Sequence, residues 1–319
     1  MPGIDKYNQA EAQRKVSQFK PDIIFMWSQR RLTLGPALAA ERSGIPCVCT
    51  MNDEWLGFYE PVKFKWKLGR LLRYLCQEVC FPTTTTADVK LKNSFSVSCF
   101  TRDAIMAVVQ SFTSEDVIYQ GIELKSFPYR GLKEELGSPV KLLYVGQLLE
   151  SKGVSNLVLA LALLKSKGDF VLTIVGTGPA SYMSRLEEEC AELKSNIEFM
   201  GKVPRDQISE LYRAHDIFLF SSIGNEAFGL THIEAMASGL PVISTLNGGQ
   251  REFLKDGINC LTFRAGDEKQ LVSKIEKMVY DTHLRLEIIE AGRREVETNF
   301  STERYFEEIH QYLQKAAVE

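Results

Sequence analysis

Two glutamates lie eight residues apart, at positions 226 and 234 of the stretch NEAFGLTHIEAMASG. The sequence predicts that Glu226 lies in a loop and that Glu234 lies in a helix among small and apolar residues. A carboxylate in such surroundings needs hydrogen-bond donors, and sugar hydroxyls are suitable donors. A glutamate on a solvated helix face is the commoner situation, so the spacing alone leaves both interpretations open.

A helix start between these glutamates offers a second kind of chemistry. Gly229 is predicted to begin a helix over 230–238, which Gly239 and Pro241 end. The first backbone N–H groups of a helix lack intrahelical partners and carry partial positive charge, so they suit a phosphate or a sugar hydroxyl. The preceding apolar run, 216–221, predicts a buried strand, and open α/β sheets bind ligands at the carboxyl ends of their strands.

Glycines mark three further loops that follow predicted strands and could approach the same ligand closely. Any one of these loops is weak evidence, because glycine is common in such turns. Together they predict a single crevice at the carboxyl edge of a sheet. The loops are VGQLLESKG at 145–153, which carries Lys152, VGTGP at 175–179, and the pair Gly248 and Gly249.

Short apolar runs alternate with amphipathic ones, which predicts βαβ units and doubly wound parallel sheets. The predicted strands are 22–27, 46–51, 140–146, 170–176, 216–221 and 241–246; the predicted helices include 155–168, 181–194, 267–298 and 302–317. A polar stretch with Gly and Pro at 120–139 is interpreted as a linker between two domains. We therefore predict two α/β domains, at 1–124 and 125–300, followed by a C-terminal helix at 301–319.

Composition excludes several classes of protein. The chain has 319 residues and a net charge of −3, which gives no indication of nucleic-acid binding. Residues 1–130 carry 17 Lys and Arg against 13 Asp and Glu, so the excess of acidic residues lies in the remainder. The seven scattered cysteines favour a reduced compartment, and no apolar stretch approaches the roughly 20 residues of a membrane-spanning helix.

The C-terminal half closely resembles the family 4 retaining glycosyltransferases of the GT-B fold, the glycosyl transferases group 1. The resemblance rests on the E-x7-E element from Glu226 to Glu234, on VGQLLESKG and VGTGP, on FMGKVP at 199–204, and on VIYQGIE at 117–123. It implies an α/β protein of two Rossmann-like doubly wound domains, with an N-terminal acceptor-side domain at 1–124 and a nucleotide-sugar donor-binding domain at 125–300. The C-terminal helix at 301–319 would pack back on the first domain. The first domain is expected to be incomplete, because nothing before Asp22 resembles the family's first strand and its glycine-rich loop.

The resemblance also implies roles for individual residues. Glu226 would bind the hydroxyls of the donor sugar, Glu234 would hold the ribose hydroxyls, and Lys152 would neutralise the departing diphosphate. Backbone groups would supply the remaining contacts: Phe228, Gly229 and Leu230 at the sugar and diphosphate, Gly201, Lys202 and Val203 at the base, and Gly248 and Gly249 at the donor.

The implied reaction transfers a sugar with retention of configuration from a nucleotide diphosphate sugar to a polysaccharide, a lipid-linked saccharide or a small molecule. The nucleotide sugar is a co-substrate, and no separate cofactor is expected. The chain contains no D-x-D motif, which the other large glycosyltransferase fold uses to hold a divalent cation. We therefore expect a metal-independent hexosyltransferase.

Two departures from the family pattern bear on activity. Gln147 stands where the family has a diphosphate-binding arginine, so a charged bidentate contact is lost. Asn52 stands where the family often has a histidine, which makes the following Asp53 a candidate catalytic residue on the acceptor side. An aspartate at a strand end is also a common helix cap, and the sequence leaves this alternative open.

The segment 61–77 interleaves basic and apolar residues, including Trp66, with no acidic residue among them. Such a helix can lie on an anionic membrane surface, although a half-buried domain helix is the commoner case. We expect a cytoplasmic protein, with peripheral attachment at the inner membrane face as the alternative. The competing functional hypotheses are a non-catalytic or partner-dependent subunit, with another chain supplying the missing segment, and a nucleotide-sugar epimerase, which the E-x7-E element disfavours.

Overall fold

The computed structural model describes residues 2–29, 32–60 and 84–318. The basic segment 61–77, for which we predict a membrane-surface contact, lies outside these residues, and that prediction stays untested. Over the described ranges, no helix combines the length and the apolar character that crossing a bilayer requires.

The described residues form nine strands and ten α-helices, in addition to several short 3₁₀ helices. The strands are β1 (Ile24–Trp27), β2 (Cys47–Met51), β3 (Ser94–Ser96), β4 (Val140–Val145), β5 (Phe170–Val175), β6 (Ile197–Gly201), β7 (Ile217–Phe220), β8 (Val242–Ser244) and β9 (Leu261–Thr262). The helices are α1 (Pro2–Phe19), α2 (Gly35–Arg42), α3 (Cys99–Val108), α4 (Val154–Leu164), α5 (Ala180–Glu189), α6 (Arg205–Ala214), α7 (Leu230–Ala237), α8 (Glu268–Tyr280), α9 (Thr282–Asn299) and α10 (Thr302–Val318).

Contacts between residues divide the chain into two compact units. Unit 1 comprises residues 1–119 and 306–319, and its described strands form a parallel sheet in the order β1-β2-β3. One face of this sheet packs on a core that includes Ala37, Trp55 and Ile105. The end of α10 belongs to this unit, where the Tyr312 hydroxyl donates to the carbonyl of Ser94 at 2.9 Å.

Unit 2 comprises residues 120–305 and contains a six-stranded, all-parallel sheet in the order β6-β5-β4-β7-β8-β9. β4, β5 and β6 follow one another toward one edge of the sheet. β7 then pairs with the other side of β4, and β8 and β9 continue toward the opposite edge. The strand order therefore reverses between β4 and β7. In a doubly wound sheet the loops at such a point diverge and leave a crevice at the carboxyl ends of the two strands.

All six predicted strands are present, and in all but β1 most residues are buried, as is usual for parallel strands that are covered on both faces. In β1 the side chains of Phe25 and Trp27 are exposed, so this strand is covered on one face. Three further strands were not predicted. β3 is short and rich in serine, and β9 has only two residues. β6 alternates half-buried and exposed residues. It contains the first three residues of the FMGKVP element at 199–204, so the loop of this element begins only after Gly201.

The predicted continuous helix at 267–298 is wrong, because Asp281 separates α8 from α9. The Asp281 carboxylate accepts a hydrogen bond from the backbone N–H of Leu284 at 3.0 Å and so caps the second helix. Arg285 is fully buried beside this break and donates to the carbonyls of Met278 and Val279, at 2.8 Å each. The buried arginine thus satisfies carbonyls that α8 leaves unpaired at its end.

The segment 120–139, interpreted from sequence as a linker, is docked on unit 2. The Arg130 backbone N–H donates to the carbonyl of Ser238, and its guanidinium donates to the carbonyl of Gly239 at 3.0 Å. The ring of Tyr129 lies under the guanidinium of Arg293. These contacts hold the segment against the C-terminal end of α7.

The loops at the carboxyl edge of unit 2 pack backbone against backbone. A Cβ atom at Gly176 would overlap the carbonyl oxygen of Gly146, and one at Gly178 would overlap that of Leu148. A Cβ at Gly153 would overlap the carbonyl oxygen of Ser221, which follows β7. Glycine is therefore required at these positions, and it fixes the loop after β4 against the loops after β5 and β7.

Replacing Gly153 by alanine tests this packing. Gly153 has φ +63, and Gly266 has a similar φ of +75 but no heavy atom within 4 Å of the position that a Cβ would take. Gly266→Ala should therefore cost only the left-handed backbone strain, about 1 to 2 kcal/mol. We expect Gly153→Ala to lower the free energy of unfolding in urea by at least about 2 kcal/mol more, and equal losses would contradict the packing argument.

Candidate functional site

The Lys152 ammonium and the Glu226 carboxylate meet in unit 2, at the point where the strand order reverses. Lys152 lies in the loop after β4, Glu226 lies in the loop after β7, and Lys152 Nζ is 2.5 Å from Glu226 Oε1. The side chains are only 20% and 10% exposed. The sheet topology thus brings together two oppositely charged residues that are 74 positions apart in sequence.

Ser222 also donates to the Glu226 carboxylate, at the same oxygen that Lys152 contacts. Its hydroxyl lies 2.6 Å from Glu226 Oε1, and the residue is buried at the end of β7. The backbone of the same loop binds the Lys152 loop, because the N–H groups of Ile223 and Gly224 both donate to the carbonyl of Ser151. Glu226 and Lys152 therefore lie on loops that are hydrogen-bonded to each other.

Gly248 and Gly249 lie directly against the backbone of Glu226. The N–H of Gly249 donates to the Glu226 carbonyl at 2.7 Å, and the Glu226 N–H donates to the carbonyl of Asn247 at 3.2 Å. A Cβ at Gly248 would overlap the Glu226 backbone. These glycines allow the loop after β8 to extend the pairing of β7 and β8 beyond the ends of the strands.

The helix start predicted at Gly229 is present: α7 begins at Leu230, with Gly229 in a left-handed conformation at φ +118. No side chain caps this end, so first-turn amides remain available for a ligand. Phe228 is buried in an aromatic cluster with Phe253 and Phe300, with ring centroids 5.4 and 5.6 Å from its own. The cluster anchors the residue that leads into the helix.

Glu234 lies on α7 and is buried, which is one of the two situations that the sequence left open. The Tyr212 hydroxyl donates to Glu234 Oε2 at 3.0 Å, and a guanidinium nitrogen of Arg205 lies 3.9 Å from Oε1. Burial raises the pKa of Glu234 above its ordinary value, whereas the Tyr212 hydrogen bond and the Arg205 charge lower it. The carboxylate thus has one partner beneath it and one cation at its exposed side.

The residues predicted to frame a base follow β6. Gly201 ends this strand at φ +64, and its carbonyl accepts the backbone N–H of Gly176 at 2.8 Å. Lys202 is exposed and Val203 is half-buried. Gln147 is also exposed, and its carbonyl accepts the Tyr144 hydroxyl at 3.0 Å.

Among the predicted catalytic residues, Asp53 is the one that lies in unit 1. Its carboxylate accepts the backbone N–H of Trp55 at 2.8 Å and caps the 3₁₀ helix Glu54–Tyr59. This is the helix-cap alternative that the sequence left open. Its role on the acceptor side stays a prediction.

Sequence reasoning missed Ser222 and Tyr212 as partners of the two glutamates. The position of Ser222 directly after an apolar strand was an available signal, whereas Tyr212 appears in the sequence only as one apolar position of an amphipathic helix. His232, on the helix between the glutamates, is fully buried with Nε2 2.8 Å from the Ser244 hydroxyl. Burial lowers the pKa of His232 to about 3, so the imidazole is neutral at physiological pH.

Comparison with known proteins gives relatives at moderate sequence identity. Sulfoquinovosyl transferase SQD2 of Arabidopsis thaliana is 27% identical over 301 residues, which cover 89% of this chain and 54% of the relative. The amylovoran biosynthesis glycosyltransferase AmsK of Erwinia amylovora is 26% identical over 208 residues, or 63% of this chain and 51% of the relative. The chain thus spans about half the length of these curated relatives.

Solved structures show the same fold. A glycosyltransferase from Rickettsia africae superposes with a TM-score of 0.76 at 23% identity, covering 99% of this chain and 82% of that one. Anabaena HepE, solved in complex with UDP and glucose, gives 0.74 at 19% identity, covering 96% and 80%. The fold is the GT-B fold that the sequence predicts.

A family model extends the comparison to the site itself. The model described as Glycosyl transferases group 1 matches residues 132–295, just over half of the chain. This span includes Lys152, Glu226, the start of α7 and Glu234. The chain belongs to the glycosyl transferases group 1 family.

Proposed function

We propose that the protein is a retaining glycosyltransferase that transfers a hexose from a nucleotide diphosphate sugar to a saccharide, a lipid-linked saccharide or a small molecule. The observation that carries this proposal is the contact of Lys152 with Glu226 at the strand-order reversal. Glu226 lies four residues before the uncapped first turn of α7. A cation, a carboxylate and free backbone amides together suit a ligand that is anionic at one end and rich in hydroxyls at the other.

In this proposal the diphosphate binds at the N-terminus of α7, where backbone amides and Lys152 stabilise the charge that grows as the bond to the sugar breaks. Glu226 then accepts hydrogen bonds from the sugar hydroxyls. Lys152 must exchange its partner, because the ammonium that now contacts Glu226 would contact the diphosphate. The diphosphate leaves from the face that the acceptor attacks, so the configuration is retained and no protein nucleophile is required.

The same arrangement supports metal independence. Lys152 and the helix N-terminus place positive charge where a divalent cation would otherwise act. Glu234, fixed by Tyr212, lies two residues after His232 on α7 and would accept the ribose hydroxyls. Because Anabaena HepE was solved with UDP-glucose, UDP and its sugar conjugates are the first probes to use.

A second candidate function is a nucleotide-sugar-binding protein that does not catalyse transfer or requires a partner. Gln147 favours this candidate, because a neutral amide replaces the charged guanidinium of the family at the diphosphate. The two candidates share donor binding and differ in turnover, so binding and catalysis have to be measured separately.

Nucleotide binding is the first test. Because a ligand that binds only the folded protein stabilises it, one of UDP, GDP, ADP, CMP or their sugar conjugates should raise the melting temperature without added metal. Glu234→Gln should abolish the shift, whereas Glu188→Gln, which changes an exposed glutamate on α5, should retain it. A wild-type protein that none of these nucleotides stabilises would contradict the proposal.

Catalysis is tested at Lys152. With the donor that the panel identifies, Lys152→Ala should lower the rate of nucleotide release by about 10² to 10³. Lys167→Ala is the matched control, because Lys167 pairs with Glu276 at 2.7 Å away from the site, and it should leave the rate unchanged. Equal rates for both variants would rule out the assigned role, and the anomeric configuration of the product, read by NMR, tests retention.

Gln147 offers a test in the opposite direction. Gln147→Arg restores a charged donor at an exposed position, so we expect the affinity for the diphosphate to rise about tenfold. Ser166→Arg adds the same charge at an exposed position before β5, at the amino edge of the sheet, and should change nothing. An unchanged affinity in Gln147→Arg, measured by calorimetry, would show that this loop does not contact the phosphates.

A further inference from the structure

Tyr212 is fully buried, and its phenol hydroxyl contacts the carboxylate of Glu234. It lies near the end of α6, and its ring packs between those of Phe127 and Phe218, with centroids 6.1 and 5.8 Å away. Its hydroxyl donates to Glu234 Oε2 at 3.0 Å. The aromatic contacts fix the ring, so the position of the hydroxyl is fixed as well.

The two oxygens of the Glu234 carboxylate have different surroundings. Oε2 is held from within the protein by Tyr212, whereas Oε1 faces Arg205, whose side chain is 75% exposed, at 3.9 Å. A buried carboxylate without a donor would be costly and would tend to take up a proton. The phenol therefore directs one oxygen inward, leaves the other toward solvent, and favours the ionised form.

We propose that Tyr212 is a positioning residue for nucleotide binding, which holds Glu234 ionised and turned so that Oε1 can accept a ribose hydroxyl. This inference rests on the proposed function, because it assigns the nucleotide to Glu234. Tyr212 does not contact the ligand in this arrangement and acts only through the carboxylate. The proposal adds to the site a residue of α6 that lies outside the sequence motifs of the family.

The charged and titratable groups around Glu234 lie on a few elements of unit 2. α6 contributes Tyr212 and Arg205. From α9, Arg293 pairs with Glu297 and donates to the carbonyl of Ala237 at the far end of α7. On the opposite side of α7, His232 is bonded to Ser244 of β8, and its lowered pKa keeps it neutral. Burial raises the pKa of Glu234, and Tyr212 and Arg205 are the groups that oppose this rise.

The sign of the pH effect follows from the hydrogen bond. The Tyr212 donor favours the ionised carboxylate and lowers the pKa of Glu234, so its removal raises that pKa. Ribose binding needs the ionised form, and affinity falls as the pH falls through this pKa. In Tyr212→Phe the loss of affinity therefore begins at a higher pH than in the wild type.

The experiment is a calorimetric titration of wild type and Tyr212→Phe with UDP between pH 5 and 8. We expect Tyr212→Phe to bind UDP roughly five- to tenfold more weakly at pH 7, with a profile displaced to higher pH. Tyr182→Phe is the matched control, because Tyr182 is also buried in unit 2 but lies on α5 beneath Arg185. It should leave both the affinity and the profile unchanged.

A measurement without ligand separates this inference from the proposed function. The carboxyl carbon of Glu234, assigned by comparison with Glu234→Gln, can be titrated by ¹³C NMR in the empty protein. A midpoint that rises in Tyr212→Phe supports the inference, and an unchanged midpoint overturns it, whether or not UDP binds. A wild type that fails to bind UDP counts against UDP as the donor nucleotide. Equal UDP profiles in wild type and Tyr212→Phe would overturn the positioning role.

Discussion

The carboxyl edge of unit 2 depends on a close approach of backbone to backbone that leaves no room for side chains. Glycines at 153, 176, 178 and 248 each lie where a Cβ would overlap a neighbouring carbonyl oxygen or backbone. Together they fix the loops after β4, β5, β7 and β8 into one surface. Because Lys152 precedes one of these glycines and Glu226 pairs with another, the geometry of the charged pair follows from this constraint.

Stability alone does not explain the Lys152–Glu226 pair, because its burial has a desolvation cost. Removing two charges from water costs several kcal/mol per ion, and well-packed apolar residues of similar size often stabilise a protein as well or better. Here the pair is largely buried, with Ser222 as an additional partner. A charged pair in the crevice where strand order reverses is better explained by a ligand that takes over one of its members than by folding.

Sequence reasoning succeeded where a local pattern carries the physical cause. Most residues of the six predicted strands are buried and apolar, with β1 as the exception that is exposed on one face. The glycines at 229 and 239, both with positive φ, bound α7. Sequence reasoning failed for elements that are too short to show a pattern and for features that depend on tertiary contacts. β9 has two residues, the break at Asp281 interrupts residues that suit a helix on both sides, and the Tyr212 contact joins positions 22 apart.

The contact between Lys152 and Glu226 has a consequence for the arrival of ligands. Because the two charges lie 2.5 Å apart, the empty crevice presents a dipole at this point rather than a net charge, and the field of a dipole fades rapidly with distance. An approaching anion would gain little from long-range electrostatic steering, so its association rate should vary little with ionic strength. The anion would then compete with the Glu226 carboxylate for the Lys152 ammonium only after it has entered the crevice.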